Sequence, residues 1–253
     1  MTPKQQPATS DSFCSDKDSS LKVLAIDTST STASAAIVIN QKIVAESIFC
    51  TDRTLSARLI PEIERLMTLA GFAIADVDLF AASIGPGSFT GVRGGVATIQ
   101  GLALACGKQC LGYSSLALLA MNFSLSPYPV CPLLDARKSE VYGGLYDCSN
   151  PIPLSIVPDC VMPPEDLLEL IRTTTDQPVI FVGDGAVRYR EIILECVGKR
   201  AVIAPAQLHG SRASNGATLA LDAYRRGEAL APQLLLPVYL RASDAEINRK
   251  PKS

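Results

Sequence analysis

One stretch decides the fold of this chain: Ala82-Ser83-Ile84-Gly85-Pro86-Gly87-Ser88-Phe89-Thr90-Gly91-Val92-Arg93-Gly94-Gly95. An apolar run, residues 77–84, leads into it, and a run of small residues, 96–105, follows it. This order predicts a strand, a glycine-rich turn and a helix over residues 93–105, with Thr90 as the capping residue. Backbone N–H groups at the start of such a helix can bind an anion.

The same helix also suggests a packing surface. Ala97, Gly101 and Ala105 lie four residues apart, and residues at this spacing share one face of a helix. Small residues there would let another helix approach closely. The stretch matches neither the Walker pattern nor GxGxxG. Both a phosphate-binding turn and a helix-packing or partner surface stay open, and the sequence favours the second.

Composition limits the class of protein. The chain has 253 residues, 47% of them apolar, and a net charge of −2, which is not the basic character of a protein that binds nucleic acid unaided. No apolar run reaches the roughly 18 residues of a membrane span. Eight cysteines are scattered without a CxxC pair, and no signal peptide is recognisable, so we expect reduced thiols and a cytoplasmic chain without membrane contact. Residues 1–20 are polar and predict a disordered tail.

The rest of the chain repeats one pattern. The first half predicts strands and helices at 22–27, 33–39, 42–47, 56–70, 77–84 and 93–105, with a hairpin turn at Asn40-Gln41. The second half predicts them at 130–135, 140–146, 153–157, 164–173, 179–182 and 186–197. Each half reads βββαβα, which predicts an α/β protein of the actin-like (ASKHA) fold with lobes at 21–118 and 119–253. We expect a final helix, at about 214–228, to pack back on the first lobe.

Two aspartates occupy matching places in this repeat, Asp27 and Asp135. A carboxylate at a strand end, beside a hydroxyl-rich turn, can hold a metal through water while the hydroxyls face phosphate. Alternatively, the carboxylate binds turn amides. Actin-like nucleotide sites usually have glycine where Ser29 stands. Contacts to a nucleotide are predicted at Asp27, Thr28, Ser29, Gly85, Gly87 and Ser88. Residues 135–140 predict a charged hairpin tip, either solvated or facing a cleft between the lobes.

Hydrolytic chemistry is disfavoured. His209 is the only histidine, and no GxSxG, HExxH or HxxxH motif occurs, so we nominate no catalytic residue and no metal ligand and expect a structural histidine. The sequence Gly183-Asp184-Gly185 is more typical of a strand-to-helix turn than of a second phosphate site.

The stretch from Ile84 to Ala103 resembles the signature of the TsaB (YeaZ) family. Further matching segments are residues 24–30, 59–61, 114–116, 135–142 and 237–241. The resemblance covers about residues 21–241.

The resemblance implies an actin-like fold and a non-catalytic partner subunit that binds TsaD. With TsaE, that subunit supports threonylcarbamoyl transfer to the tRNA adenosine beside the anticodon. It also implies contact with tRNA through the complex, an alternative homodimer, no required cofactor and at most weak binding of ATP or ADP. We expect the partner interface at Leu59, Ile63, Leu66, Ala97, Gly101 and Ala105. The rival hypothesis is an active ATP-dependent transferase or kinase of the same fold.

Overall fold

The computed structural model describes residues 21–50 and 55–241, so the tail predicted at 1–20 lies outside the described residues. Two five-stranded mixed sheets, one in each lobe, carry helices on their faces. No helix in the described part of the chain has the length and apolar character needed to cross a membrane.

The first lobe contains the sheet β3-β2-β1-β4-β5. Its elements are β1 (Lys22–Asp27), β2 (Thr32–Ile39), β3 (Lys42–Cys50), α1 (Leu55–Ala70), β4 (Leu79–Gly85), α2 (Phe89–Cys106) and β5 (Gln109–Ser114). The first three strands are antiparallel, and β4 and β5 add in parallel. One face of this sheet packs against the apolar sides of α1 and α2.

The second lobe repeats this arrangement as β8-β7-β6-β9-β10. Its elements are α3 (Ser115–Ala120), β6 (Val130–Arg137), β7 (Glu140–Asp147), β8 (Leu154–Met162), α4 (Pro164–Thr174), β9 (Val179–Val182), α5 (Asp184–Arg188), α6 (Arg190–Val197) and β10 (Ala201–Ile203). The first strand of each half is central, and the fourth and fifth continue the sheet on its other side. The repeated two-lobe topology predicted from the sequence is therefore confirmed.

Several local predictions differ from the structure: β8 extends five residues beyond its predicted end, and α3 was not predicted. The second helix begins at Phe89, because the Ser88 side chain, not that of Thr90, accepts a hydrogen bond from the Gly91 amide at 3.3 Å. The single helix predicted over 186–197 is α5 and α6, separated at Tyr189. The strand β10 was not predicted, because three residues are too few to show a period.

The last helix, α7 (Ala213–Arg225), returns to the first lobe. Its buried alanines pack on the face of the first sheet opposite α1 and α2, against Val23, Ala25, Ala36 and Val38. Gly216 lies under the Tyr113 ring, and a Cβ there would come within 2.3 Å of a ring carbon. The helix can therefore lie close to the sheet because small residues form its inner face.

Hydrogen bonds join the lobes where the chain passes between them. The Ser114 hydroxyl accepts from the amides of Leu116 and Ala117, which caps α3, and donates to Asp159 of the second lobe at 2.5 Å. Burial raises the pKa of Asp159. The Asn122 side chain donates to two carbonyl oxygens of the loop that precedes α7. The Ser114–Asp159 hydrogen bond joins the lobes at this crossing, called the hinge below, and Asn122 holds the loop before α7 beside it.

Candidate functional site

A cleft of about 520 Å³ lies between the two lobes. The first lobe contributes the β1–β2 turn and the start of α2, and the second lobe contributes the β6–β7 hairpin and Asp184. The segment 235–241, called the strap below, forms a further wall. The lining residues are Ser29, Thr30, Ser31, Gly87, Ser88, Phe89, Thr90, Leu134, Asp135, Ala136, Arg137, Tyr142, Asp184, Tyr239 and Arg241.

The β1–β2 turn packs directly on the glycine-rich start of α2. The Ser88 amide donates to the Ser29 carbonyl at 2.7 Å, and the Thr28 hydroxyl donates to the Gly91 carbonyl at 2.8 Å. A Cβ on Gly91 would lie 2.1 Å from the Thr28 carbonyl oxygen, and one on Gly87 would lie 2.3 Å from the Ser29 carbonyl oxygen. The absence of side chains at these glycines therefore allows two backbone segments to touch.

Asp27 is fully buried beneath this contact, with 0% of its surface exposed. One carboxylate oxygen accepts hydrogen bonds from the Ser83 hydroxyl and from the Ser29 amide, the latter at 3.1 Å. The other accepts a hydrogen bond from the Ser211 hydroxyl, in the loop before α7. The carboxylate thus joins β1, β4 and the segment that returns from the second lobe. Burial and then the charge of Asp27 raise the pKa of nearby Tyr113 well above its usual range.

The actin-like fold implies a metal–nucleotide complex at this carboxylate, and the residues present do not fit one. Both oxygens of Asp27 are buried and already accept protein hydrogen bonds, so a metal would have to displace these partners. Of the predicted nucleotide contacts, Ser29, Gly87 and Ser88 line the cleft. Asp27, Thr28 and Gly85 are buried below its surface.

Charged groups of the second lobe form the opposite wall. Asp135 pairs with Arg188 at 3.0 Å and accepts from the Arg137 amide at 3.0 Å. The Asp135 amide donates to Asp184 at 3.0 Å, and burial is the main reason that the pKa of Asp184 is raised. Asp135, Ala136 and Arg137 therefore line the cleft, as one of the two sequence hypotheses stated, whereas Lys138 and Ser139 at the tip of the hairpin are exposed, as the other stated. Nowhere in residues 21–50 and 55–241 do three or more histidine, cysteine or acidic side chains cluster as metal ligands.

The turn at residues 183–185 and the only histidine have structural roles. A Cβ on Gly183 would lie 2.2 Å from the Leu133 carbonyl oxygen, so glycine permits α5 to begin against β6. The His209 Nδ1 atom accepts from the Gly183 amide at 3.1 Å, so Nε2 carries the proton and donates to the Ala204 carbonyl at 2.9 Å. This histidine ties the loop before α7 to the end of β9.

The outer face of α2 is a second candidate surface. Ala97, Gly101 and Ala105 are all exposed, and a Cβ on Gly101 would meet no atom within 4 Å. Leu104, on the same face, is 70% exposed. The Gln100 side chain holds the segment 232–235 against α2, and exposed leucines of this segment and the strap, Leu234 and Leu236, extend the apolar surface.

The other predicted interface residues lie elsewhere. Leu59, Ile63 and Leu66 lie on the face of α1 that is buried against the first sheet. Their apolar spacing therefore reflects the core of this lobe rather than an exposed surface. Leu104 is not among the interface residues predicted from the sequence, although it lies three residues from Gly101. Leu234 and Leu236 follow a 3-10 turn, and no periodic pattern indicates them.

Comparisons with known proteins identify the family of this chain. A family model described as TsaD, tRNA N6-adenosine threonylcarbamoyltransferase, matches residues 42–249. The "tRNA threonylcarbamoyladenosine biosynthesis protein TsaB" of Bacillus subtilis is 33% identical over 226 residues, which cover 89% of this chain and 96% of that protein. The chain belongs to the TsaB (YeaZ) family.

Two further matches support the assignment of this chain to the TsaB family. The protein of the same name from Escherichia coli is 29% identical over 87% of this chain and 95% of its own length. The solved structure of YeaZ from Pseudomonas aeruginosa has a TM-score of 0.75 at 32% identity and covers 87% of this chain and 100% of that one. Family membership and the two-lobe topology together establish the actin-like fold.

Proposed function

We propose that this chain acts in tRNA threonylcarbamoyladenosine biosynthesis as a non-catalytic subunit. It binds a TsaD protein and, with TsaE, supports threonylcarbamoyl transfer to the tRNA adenosine beside the anticodon. The names of its TsaB relatives support the pathway. The main support for a non-catalytic role is the inaccessibility of Asp27. Its carboxylate is fully buried and accepts hydrogen bonds from three protein groups.

The sealed carboxylate disfavours the rival transferase or kinase. In an actin-like ATP-using enzyme this aspartate must meet metal-bound water or phosphate, and here the β1–β2 turn covers it. We infer that the subunit needs no cofactor. Any weak contact with ATP or ADP is confined to the cleft surface at Ser29, Gly87 and Ser88.

We place the partner-binding surface on the outer face of α2. Small exposed residues allow a partner helix to approach the α2 backbone closely, and the surrounding exposed leucines supply apolar area to bury. The chain has a net charge of −2, so contact with tRNA is expected through the assembled complex rather than through this chain alone.

A binding experiment tests this surface. Affinity for TsaD of the same organism is measured by calorimetry for the wild type, Gly101→Leu and the control Gly101→Ala. Leucine would hold the partner helix away, and overpacking of this kind costs about 1–3 kcal/mol, or roughly five- to 150-fold in affinity. Equal affinity for Gly101→Leu and wild type would refute the surface. Sedimentation of the isolated chain shows whether the same substitution also weakens a homodimer.

A reconstitution tests the non-catalytic role. Purified chain is mixed with TsaD, TsaE, tRNA, threonylcarbamoyl-adenylate and ATP, and each component is omitted in turn. We expect tRNA modification to require the chain, and the chain alone to give neither modification nor ATP hydrolysis. Turnover by the chain alone would refute the proposal and favour the kinase or transferase hypothesis.

A further inference from the structure

The strap, residues 235–241, is anchored to the first lobe at Leu235 and Val238. The Val238 amide donates to the Ile84 carbonyl at 2.8 Å, and Gln100 donates to the Leu235 carbonyl at 2.9 Å. A Cβ on Gly85 would lie 2.9 Å from the Val238 carbonyl oxygen, so the strap lies directly on the end of β4.

Tyr239 fixes the middle of the strap at the cleft. Its ring lies 5.1 Å from that of Phe89, centroid to centroid, and its hydroxyl accepts a hydrogen bond from Arg93 at 2.6 Å. The Arg93 guanidinium in turn lies 3.8 Å from the centre of the Phe89 ring. Stacking and cation–π contact of this kind hold a side chain in one orientation.

The end of the strap reaches the second lobe. Arg241 pairs with Glu140, the first residue of β7, at 2.9 Å. Tyr142, also on β7, lines a small cavity with Val238 and Tyr239. The strap therefore connects the first lobe to the β6–β7 hairpin at the cleft. The hinge residues Ser114 and Asn122 do not line that cleft.

The hairpin tip that receives Arg241 has an unusual backbone. Arg137, Lys138 and Ser139 have φ values of 64°, 51° and 58°, which place three successive residues with side chains in the left-handed region. Such conformations persist where the surroundings hold them. Here, the hydrogen bond from the Arg137 amide to Asp135 and the Arg241–Glu140 pair lie on either side of the turn.

We propose that the strap and the β6–β7 hairpin form a latch that holds the two lobes together across the cleft. The hinge joins the lobes where the chain crosses, and the Arg241–Glu140 pair joins them at the cleft. The latch limits how far the cleft opens. Its release widens the cleft between the β1–β2 turn and the β6–β7 hairpin.

Hydrogen exchange of the full chain, read by mass spectrometry, tests the latch. Arg241→Glu and Glu140→Arg each break the pair, and the double substitution restores it with the charges exchanged. Arg188→Ala is the matched control, because it removes an ion pair with Asp135 that stays within the second lobe. Tyr239→Phe removes only the hydroxyl that Arg93 contacts, and it serves as the milder variant if a charge reversal prevents folding.

We expect each single charge reversal to speed exchange roughly two- to fivefold in peptides from both cleft walls, residues 28–31 and 134–142, as expected for a partly exposed ion pair. The double substitution should slow it again, and the control should leave residues 28–31 unchanged. Faster exchange in the strap alone, or no recovery in the double variant, would overturn the latch.

Discussion

Gly91→Ala tests whether the glycine-rich turn is a packing device. Position 91 lies in the first turn of α2 and faces the β1–β2 turn, where an added Cβ would come 2.1 Å from the Thr28 carbonyl oxygen. Ordinary contacts of this kind begin at 3.4 Å. Because both sides of the contact are backbone, the helix start and the turn have to move apart by about 1 Å, which neither can do by changing a rotamer.

The cost follows from the contacts that this movement strains. Overpacking of a rigid site costs about 1–3 kcal/mol, and loss of the Thr28–Gly91 hydrogen bond adds about 1 kcal/mol. We therefore expect Gly91→Ala to lower the free energy of unfolding by about 2–4 kcal/mol. In a chain of this size, that loss lowers the melting temperature by about 4–16 °C.

Urea unfolding followed by circular dichroism measures this loss, and Gly101→Ala is the matched control. The control makes the same chemical change in the same helix, but its Cβ meets no atom within 4 Å. Relief of the helix penalty of glycine should then stabilise the chain by about 0.5–1 kcal/mol. The two substitutions thus have opposite expected signs. A Gly91→Ala variant within about 0.5 kcal/mol of wild type would refute the packing argument.

Three other predictions concern the turn, the histidine and the thiols. Ser139→Gly relieves a left-handed residue in a two-residue hairpin turn and should raise the free energy of unfolding by about 0.5–1 kcal/mol, measured in urea; unchanged or lower stability would contradict it. His209→Ala removes two hydrogen bonds from the loop before α7 and should cost about 1–3 kcal/mol, with faster hydrogen exchange in that loop; unchanged exchange there would contradict it. Burial raises the pKa of Cys110 to about 11, so the folded state favours the neutral thiol. The contribution of this thiol to the free energy of unfolding is therefore complete below pH 9 and is lost as the pH rises through 11. At pH 8, peptide mapping after iodoacetamide should find exposed Cys196 alkylated and Cys110 protected, and equal rates would refute this.

The sequence predicted the elements of the fold because their signals are local. The apolar run of β1 and the turn at Asn40-Gln41 each show their period or turn chemistry within a few residues, and the structure has both. The boundary of α2 was missed by four residues, because serine and threonine can both cap a helix and only the geometry selects Ser88.

The candidate site was predicted less well because it depends on long-range contacts. The spacing of Leu59 and Leu66 is the same whether their face meets a sheet of the same chain or a partner protein. Tyr239 and Arg241 lie at the cleft because the strap runs from one lobe to the other. The contacts that hold them there join residues more than 100 positions apart in the sequence. No local pattern encodes such a contact.

The two-lobe topology could be predicted from local patterns, because alternating and helical apolar patterns repeat in each half. The long signature of the sequence also determined the family. The roles of individual residues, in contrast, depend on contacts that form only in the folded chain. Asp27 ends its strand as the sequence indicated, but the hydroxyls around its carboxylate include Ser211, which is 184 positions away. The accessibility of that carboxylate depends on how closely the glycines of α2 let the β1–β2 turn approach the start of the helix. This distance is set by packing across the whole lobe.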